Sequence, residues 1–578
     1  DNPFWVLKEL KKRAMVTQDQ IRALGARNRQ QDFRIVEMLK DCAKRKDLYR
    51  GRKLHYYILK MGLLEKSLHI GNTLISMYAK CGMHSKAQQV LEELLVQDTI
   101  SWNSLIAGYA QHGKGHDALN CFERMQSEGF TPDEFTFTCI LRACGSIGAI
   151  DKGKQIHDEI VDKGLLRKSI ALGNALVDMY ARCGVLAKAK QVLDELPVRN
   201  VVCWSSLIAG YAHEGRGHEA LECFDQMQRE GFSPDEITFT CILKACGSIG
   251  AIDKGKQIHD DVVSRGLLRR NIVIGTALVD MYAKCGALDK AQEVFSQLQV
   301  QDVVSWTALI AGYAEQGENE KAMICHRQMQ EQCLLPNDVT FASTLKACGN
   351  KADQENGTRL HAQVLAMDHL GSLDVITATA LIDMYAKCGN MVCAQEVFDG
   401  MQQRDIVGWN ALFTGYTRQG ESKLVLEIFD KIDEGIKPDD VTFLSILSAC
   451  SHAGSVEKGR LYFDALGKEY GIEPTIKHYN CMVDLFGRAG QIKEAFSMLR
   501  SMPFSPDLVV WTTLLASCRK WGNVEIGRQA FEAALRLDDK HMAAYNAMFN
   551  LYVDANMWEE AKQIESRKLN IQVGKELG

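Results

Sequence analysis

An all-α solenoid of helix–turn–helix repeats is the fold that this 578-residue sequence predicts. Three observations predict it. Tryptophan recurs at Trp102, Trp204, Trp306, Trp409 and Trp511, at intervals of 102, 102, 103 and 102 residues, a regularity no single globular core requires. Between the tryptophans, three kinds of unit, about 36, 31 and 35 residues long, follow one another in fixed order. Each unit carries two apolar stripes of helical period, separated by a turn signal.

Taken in order, residues 1–31 are polar and read as a leader or N-terminal cap. A long unit opens at Asp32 as DFRIVEMLKDCAKRKDLYRGRKLHYYILKMG and returns from Glu134, Glu236 and, more divergently, Asp338. A short unit, LHIGNTLISMYAKCGMHSKAQQVLEELLVQD over 68–98, returns from Ile170, Ile272 and Val375. The tryptophan unit occupies 99–133, 201–235, 303–337 and 406–439. Within its first copy, Leu105, Ile106 and Tyr109 share one helical face, and Ala118, Leu119, Phe122 and Met125 share a second. Gly113 breaks the pattern between them, Gly129 stops the second helix, and Pro132 forbids its continuation. Neither stripe can be buried by one hairpin, so stacking must build a continuous core and a superhelix with an extended concave face.

Composition narrows the function. Apolar residues make up 46% of the chain, ample for such a core, yet no run approaches the roughly 18 apolar residues of a membrane span. Lys and Arg number 68 against 73 Asp and Glu, a net charge of −5. That is the reverse of the basic footprint usual in nucleic-acid binders. Nineteen cysteines in a chain of this length read as buried thiols of a reducing compartment, since disulfide frameworks belong to small secreted domains. Deaminase chemistry needs His-x-Glu and a Cys-x-x-Cys pair around zinc, and the sequence has no Cys-x-x-Cys. The recurrent pairs Cys42/His55, Cys144/His157, Cys246/His259 and Cys348/His361 supply two ligands per unit where structural zinc takes four. They read as core cysteine and interhelical histidine, and the tryptophans as packing at the repeat seam.

Two hairpin families of this length compete. The tetratricopeptide pattern is met by Trp102, Leu105, Tyr109, Ala118 and Phe122, but Ile106 stands in place of its glycine and Pro132 sits late. The phrases LIAGYAQHGKGHDAL, LVDMYAKCGALDKAQEVF and GFSPDEITFTCILKACG, with the three unit lengths, instead resemble the pentatricopeptide repeat family. More narrowly they resemble its land-plant subclass of alternating standard, long and short motifs. The resemblance divides the chain into about 14 motifs over 32–507 and two extension motifs at 508–541 and 542–578. It implies a right-handed superhelix. In many such proteins a zinc-dependent cytidine-deaminase-like domain follows, and it would begin beyond Gly578. This chain itself is therefore expected to be no enzyme and to need no cofactor.

Pentatricopeptide proteins bind single-stranded RNA one base per repeat. The resemblance implies that the fifth residue of the first helix and the last residue of the repeat face that base. In the short and tryptophan units these are Asn72/Asp98, Asn103/Asp133, Asn174/Asn200, Ser205/Asp235, Thr276/Asp302, Thr307/Asn337, Thr379/Asp405, Asn410/Asp439 and Asn480/Asp507. A terminal Asp or Asn would equally serve as N-cap of the next helix. The series favours base reading, because the fifth position varies only among Asn, Ser and Thr. An Asn amide suits a pyrimidine edge, a compact hydroxyl admits a purine, and a carboxylate accepts from guanine's N–H donors. The family's correspondence gives U, U, Y, G, G, A, G, U and U. In the long units, Thr138/Ser169 and Thr240/Asn271 are weaker purine readers, while Val36, Ala342 and Leu444 should be silent. The expected target is N-U-U-N-Y-G-R-G-A-N-G-U-N-U.

Two further series leave alternatives open. Ile100, Val202, Val304 and Val407 are either wedges between bases or ordinary core. Lys80, Arg182, Lys284, Lys387 and Arg488, with Lys40, Arg142, Lys244 and Lys346, form either a solvated face or a phosphate-tracking stripe. The implied role is the site-recognition factor of organellar C-to-U RNA editing, with a deaminase or editing-complex protein as partner at 508–578. Mitochondrion and chloroplast are both open, the mitochondrion favoured. The competing functions are intron splicing or transcript stabilisation, and a protein-binding scaffold.

Overall fold

The computed structural model describes residues 32–367, 374–430 and 436–576, with side chains to 569. The expected leader or cap at 1–31 lies outside the described residues. The chain divides into two compact units, residues 1–287 and 288–578. Among the described residues both units are helical hairpins joined by short turns.

In the first unit the hairpins begin with a helix over 32–45 and Leu48–Lys60. They continue as Leu68–Lys80 with His84–Glu93, Thr99–Gln111 with Gly115–Ser127, and Glu134–Ile147 with Ile150–Asp162. The same order recurs through Ile272–Lys284. The second unit runs from Leu288–Gln297 to the pairs Leu508–Trp521 with Val524–Leu537 and Met542–Asp554 with Trp558–Glu576. The segments expected as extension motifs are thus helical hairpins stacked on the array. Within each unit, a first helix packs on its own second helix and on the first helix of the next hairpin. First helices therefore make a continuous row within each unit.

Unit length follows from helix length. The short hairpin has a 10-residue second helix, as in His84–Glu93, where the tryptophan hairpin has 13 residues in Gly115–Ser127. The long hairpin adds one residue to its first helix, 14 in Glu134–Ile147, closed by Gly148 at φ 67°. The sequence also dictates how closely the first helices approach. A Cβ at Gly108 would lie 2.4 Å from the Ala79 Cβ, and one at Gly210 would lie 2.8 Å from the Ala181 Cβ. No side chain fits there without moving a backbone, and the small pair sets the spacing of the row.

The tryptophans fill the seams as expected. Trp102, Trp204 and Trp306 are buried, and Trp306 packs edge-on against Phe295 of the preceding second helix, ring centroids 4.5 Å apart. The recurrent histidines bridge hairpins: His55, His157 and His361 each place Nδ1 2.9–3.0 Å from the hydroxyl of Tyr78, Tyr180 and Tyr385. The matching cysteines are buried, and burial pushes the Cys144 and Cys348 thiols up to about 12.

An acid-sensitive place interrupts this core. In Asn319–Glu331, His326 stands where Phe122 and Phe224 stand in earlier repeats, and Thr344 where Ile140 and Ile242 stand. The two polar side chains meet at 3.1 Å. Burial pushes the His326 pKa from 6.5 to about 4, partly offset by the Gln363 side chain. The folded histidine stays neutral while the unfolded chain takes up a proton below about pH 6.5. Stability is therefore whole above that pH, declines as the pH falls toward 4, and levels off below. The pKa difference corresponds to about 3 kcal/mol. Thermal melts at pH 7 and pH 5 should separate less for the double variant His326→Phe/Thr344→Ile than for the wild type. An unchanged separation would place the acid sensitivity elsewhere.

Candidate nucleic-acid interface

The row of first helices carries the candidate site. In the first unit four of them, Thr99–Gln111, Glu134–Ile147, Ile170–Arg182 and Val201–His213, line an open groove of about 420 Å³. Its wall alternates polar Asn174, apolar Phe135 and Val202, and basic Arg142 and Arg182.

Terminal residues of the repeats cap the helices that follow. Asp98 accepts from the Ser101 amide at 2.8 Å, Asp133 from Thr136 at 2.8 Å, and Asn200 from Cys203 at 3.1 Å. Asp235, Asp302, Asn337, Asp405, Asp439 and Asp507 act in the same way. This fixes one carboxylate oxygen against the helix N-terminus, where negative charge is favoured. The capping role and contact with the fifth residue coexist, because a carboxylate has lone pairs for both.

In four repeats the structure joins the two predicted residues directly. Asn72 donates through Nδ2 to Asp98 at 3.1 Å, and Asn103 donates to both oxygens of Asp133 at 3.0 Å. Asn410 donates to Asp439 at 3.0 Å, and the single Ser205 hydroxyl proton is shared between the Val201 carbonyl at 2.8 Å and Asp235 at 3.2 Å. Burial alone would push the Asp98 carboxyl up. The Ser101 hydroxyl and amide and the Asn72 amide outweigh it and hold Asp98 below the usual carboxylate range. Asp439 is held low in the same way by Thr442 and Asn410.

Among the described residues, no direct hydrogen bond joins Asn174 to Asn200, Thr307 to Asn337, Thr379 to Asp405 or Asn480 to Asp507. The Thr307 hydroxyl donates instead to the Val303 carbonyl at 2.6 Å. Thr276 lies on Ile272–Lys284 in the first unit, and Asp302 caps Val303–Glu315 in the second. The long repeats are built differently. Thr138 and Thr240 turn their hydroxyls back to the carbonyls of Glu134 and Glu236. Ser169 and Asn271 bind the side chains of those same two glutamates, so the predicted partners never meet.

The second residue of each first helix resolves one open alternative. Ile100, Val202, Val304 and Val407 are 51–60% exposed, which rules out the core. Phe135, Ile237, Val339 and Val441 repeat the pattern in the long hairpins. In the tryptophan and long hairpins just named, the row presents an apolar side chain one turn before the fifth residue, a placement that suits insertion between stacked bases. The basic series is partly neutralised. Arg182, Lys284, Lys387 and Arg488 pair with Asp178, Asp280, Asp383 and Asp484 four residues earlier, at 2.6–2.9 Å. Such exposed pairs contribute little stability, but they offset the charge of four of the nine cations in the series.

Sequence reasoning missed two partners. The histidine–tyrosine bridge was absent from it, although the recurrence of Tyr78, Tyr180 and Tyr385 was visible. So was the hydroxyl three residues after many of the caps, as at Ser101, Thr136, Thr238, Thr340 and Thr442, whose signal was a Ser or Thr in fixed register.

Comparison with known proteins agrees with the geometry. The PPR repeat family model matches residues 97–146, 199–248, 301–350 and 404–452, and PPR repeat models match 72–98, 135–165, 174–201, 276–303, 376–406, 470–503 and 543–565. A mitochondrial pentatricopeptide repeat-containing protein of Arabidopsis thaliana is 35% identical over 565 residues, 94% of this chain and 62% of that protein. A chloroplastic one from the same plant is 33% identical over 528 residues, 91% of this chain and 60% of the relative. A third is 35% identical over 600 residues and is covered to 85% of its length. The chain thus spans about three fifths of the first two. The fold is shared with the pentatricopeptide repeat protein PPR10 in complex with an 18-nt psaJ RNA element, at a TM-score of 0.56 and 19% identity over 93% of this chain and 84% of that one. On the repeat matches and the identity along nearly its whole length, the chain belongs to the pentatricopeptide repeat family.

Proposed function

We propose that the chain selects one single-stranded organellar RNA site by sequence, one base per hairpin, and serves as the recognition part of a C-to-U editing factor. The observation that carries base reading is the union of fifth and terminal residues in one hydrogen-bonded pair beside the first-helix row, as in Asn103 and Asp133. A pair so held offers a fixed donor and acceptor pattern at one spot per repeat, which is what discrimination among base edges requires. Support for an RNA ligand comes also from the shared fold with PPR10, solved on RNA. Relatives named mitochondrial and chloroplastic support an organellar setting. The editing role rests on the resemblance of 508–578 to extension motifs, where a deaminase or editing-complex protein would dock.

With a net charge of −5 and a basic series partly neutralised by its own aspartates, phosphate attraction is weak. Affinity must then depend on base edges and stacking more than in a basic protein. A gel shift should show the RNA N-U-U-N-Y-G-R-G-A-N-G-U-N-U bound at least tenfold more tightly than a version with its G-R-G-A block changed to pyrimidines, roughly the worth of two lost base contacts. Equal binding to both would overturn base reading.

A further inference from the structure

We infer that the hydroxyl on the third residue of the following first helix is a specificity-determining latch on the reader of the repeat before it. Its presence or absence sorts the readers into strict and permissive ones. The inference rests on the base-reading function proposed above and concerns residues which that function does not use.

Five readers carry the latch. The Ser101 hydroxyl lies 2.6 Å from the Asn72 Oδ1, Thr136 2.6 Å from the Asn103 Oδ1, and Thr442 2.8 Å from the Asn410 Oδ1. Thr238 and Thr340 lie 2.6 and 2.7 Å from the hydroxyls of Ser205 and Thr307. All five readers are at most 8% exposed. Three other readers, with both parts of the site in one unit, lack it, because the third position holds Cys203, Gly408 or Val510. In those three repeats the reader is half-buried and keeps a buried oxygen with no partner: Asn174 Oδ1, Thr379 Oγ1 and Asn480 Oδ1. The two sets do not overlap. A missing hydroxyl leaves a stranded reader oxygen.

Consider Asn103. The Asp133 backbone N–H donates to the Thr136 hydroxyl oxygen at 3.1 Å, so that hydroxyl's own proton is directed at Asn103 and Asp133. The amide oxygen therefore faces a donor, and the amide nitrogen faces a carboxylate that can only accept. Flipping the amide would set oxygen against carboxylate. One orientation survives, with a single N–H left over for the base. At Asn480, Val510 has the shape of threonine without its hydroxyl, and at Asn174 the terminal residue is Asn200 rather than an acid. Neither amide has a reason to prefer one face, so each can present donor or acceptor.

The test measures binding of the full chain to RNAs carrying each base at the position read by Asn103, with the position read by Asn72 as internal control. Thr136→Val should lower discrimination at the Asn103 position about fivefold, the worth of roughly one hydrogen bond, and leave the Asn72 position untouched. Thr136→Ser should restore it. Val510→Thr should raise discrimination at the Asn480 position by a similar factor. If Thr136→Val weakens all RNAs equally, the hydroxyl is a helix cap and nothing more. If both valine–threonine exchanges leave discrimination unchanged, the latch is refuted while base reading stands. A wild-type chain with no base preference at any position would instead refute base reading itself.

Discussion

A Ser205→Asn variant should prefer U over G by about tenfold at the one nucleotide where, on the proposed reading, the wild type should prefer G by a similar factor. The substitution recreates a constellation the protein already contains. Asp235 caps the next helix through Thr238 as Asp133 does through Thr136, and the Thr238 hydroxyl stands ready 2.6 Å from the present Ser205 Oγ. An Asn at 205 would fill the room that a serine leaves open to a purine. Its Nδ2 would engage both oxygens of Asp235 as Asn103 engages Asp133, leaving the carboxylate a weaker acceptor for guanine's N1–H and N2–H. Competition binding with RNAs differing at this nucleotide reads the exchange directly. A variant that still prefers G would show that the repeat-to-base register is displaced.

Trp204→Ala should destabilise the chain by about 3–5 kcal/mol, whereas Trp204→Phe should fall within about 1 kcal/mol of the wild type. Trp204 is fully buried, so truncation opens a cavity the size of an indole. Its Nε1, however, is a buried donor without a partner, as are those of Trp102 and Trp409, while Trp306 donates to Gln332 at 3.2 Å. Phenylalanine removes this stranded donor together with some packing, and the two effects oppose each other. The comparison at 306 is the control, since Trp306→Phe forfeits a hydrogen bond that Trp306 makes to the exposed Gln332 side chain and should cost more than Trp204→Phe. Chemical denaturation followed by circular dichroism provides the values for all three variants. In a stack of hairpins that touch only their neighbours, the alanine variant should also broaden the transition, because a weakened hairpin lets its two sides unfold separately.

Much of the fold was legible because its signals are local and repeated. The tryptophan spacing, the glycine stops at Gly113 and Gly129 and the terminal Asp or Asn before most first helices are short-range patterns that recur along the stack. The pairing of fifth and terminal residues was legible as a series. Which pairs actually bond was not, because that depends on where one hydroxyl proton goes. Thr138 and Thr307 have the expected residue type, yet both return it to a backbone carbonyl. Apolar character alone could not place Ile100 or Val202, since a stripe's outermost member is equally apolar whether covered or bare. The ion pair of Arg182 with Asp178 was open to the spacing rule for helices, but the basic series drew attention to the cation and away from the acid one turn earlier.

The capping carboxylates belong to one hairpin by sequence and to the next by hydrogen bonding. Asp133 closes the tryptophan repeat, holds Asn103 of that repeat, and is itself held by Thr136 of the repeat that follows. The hydrogen-bonded unit therefore runs past the repeat boundary by three residues. Anyone building new arrays from these hairpins as interchangeable cassettes would do better to cut after the third residue of each first helix, so that Asn103, Asp133 and Thr136 travel together. Joints made at the repeat boundary would join a reader to a stranger's hydroxyl, and each such joint would inherit the donor, or its absence, from its new neighbour.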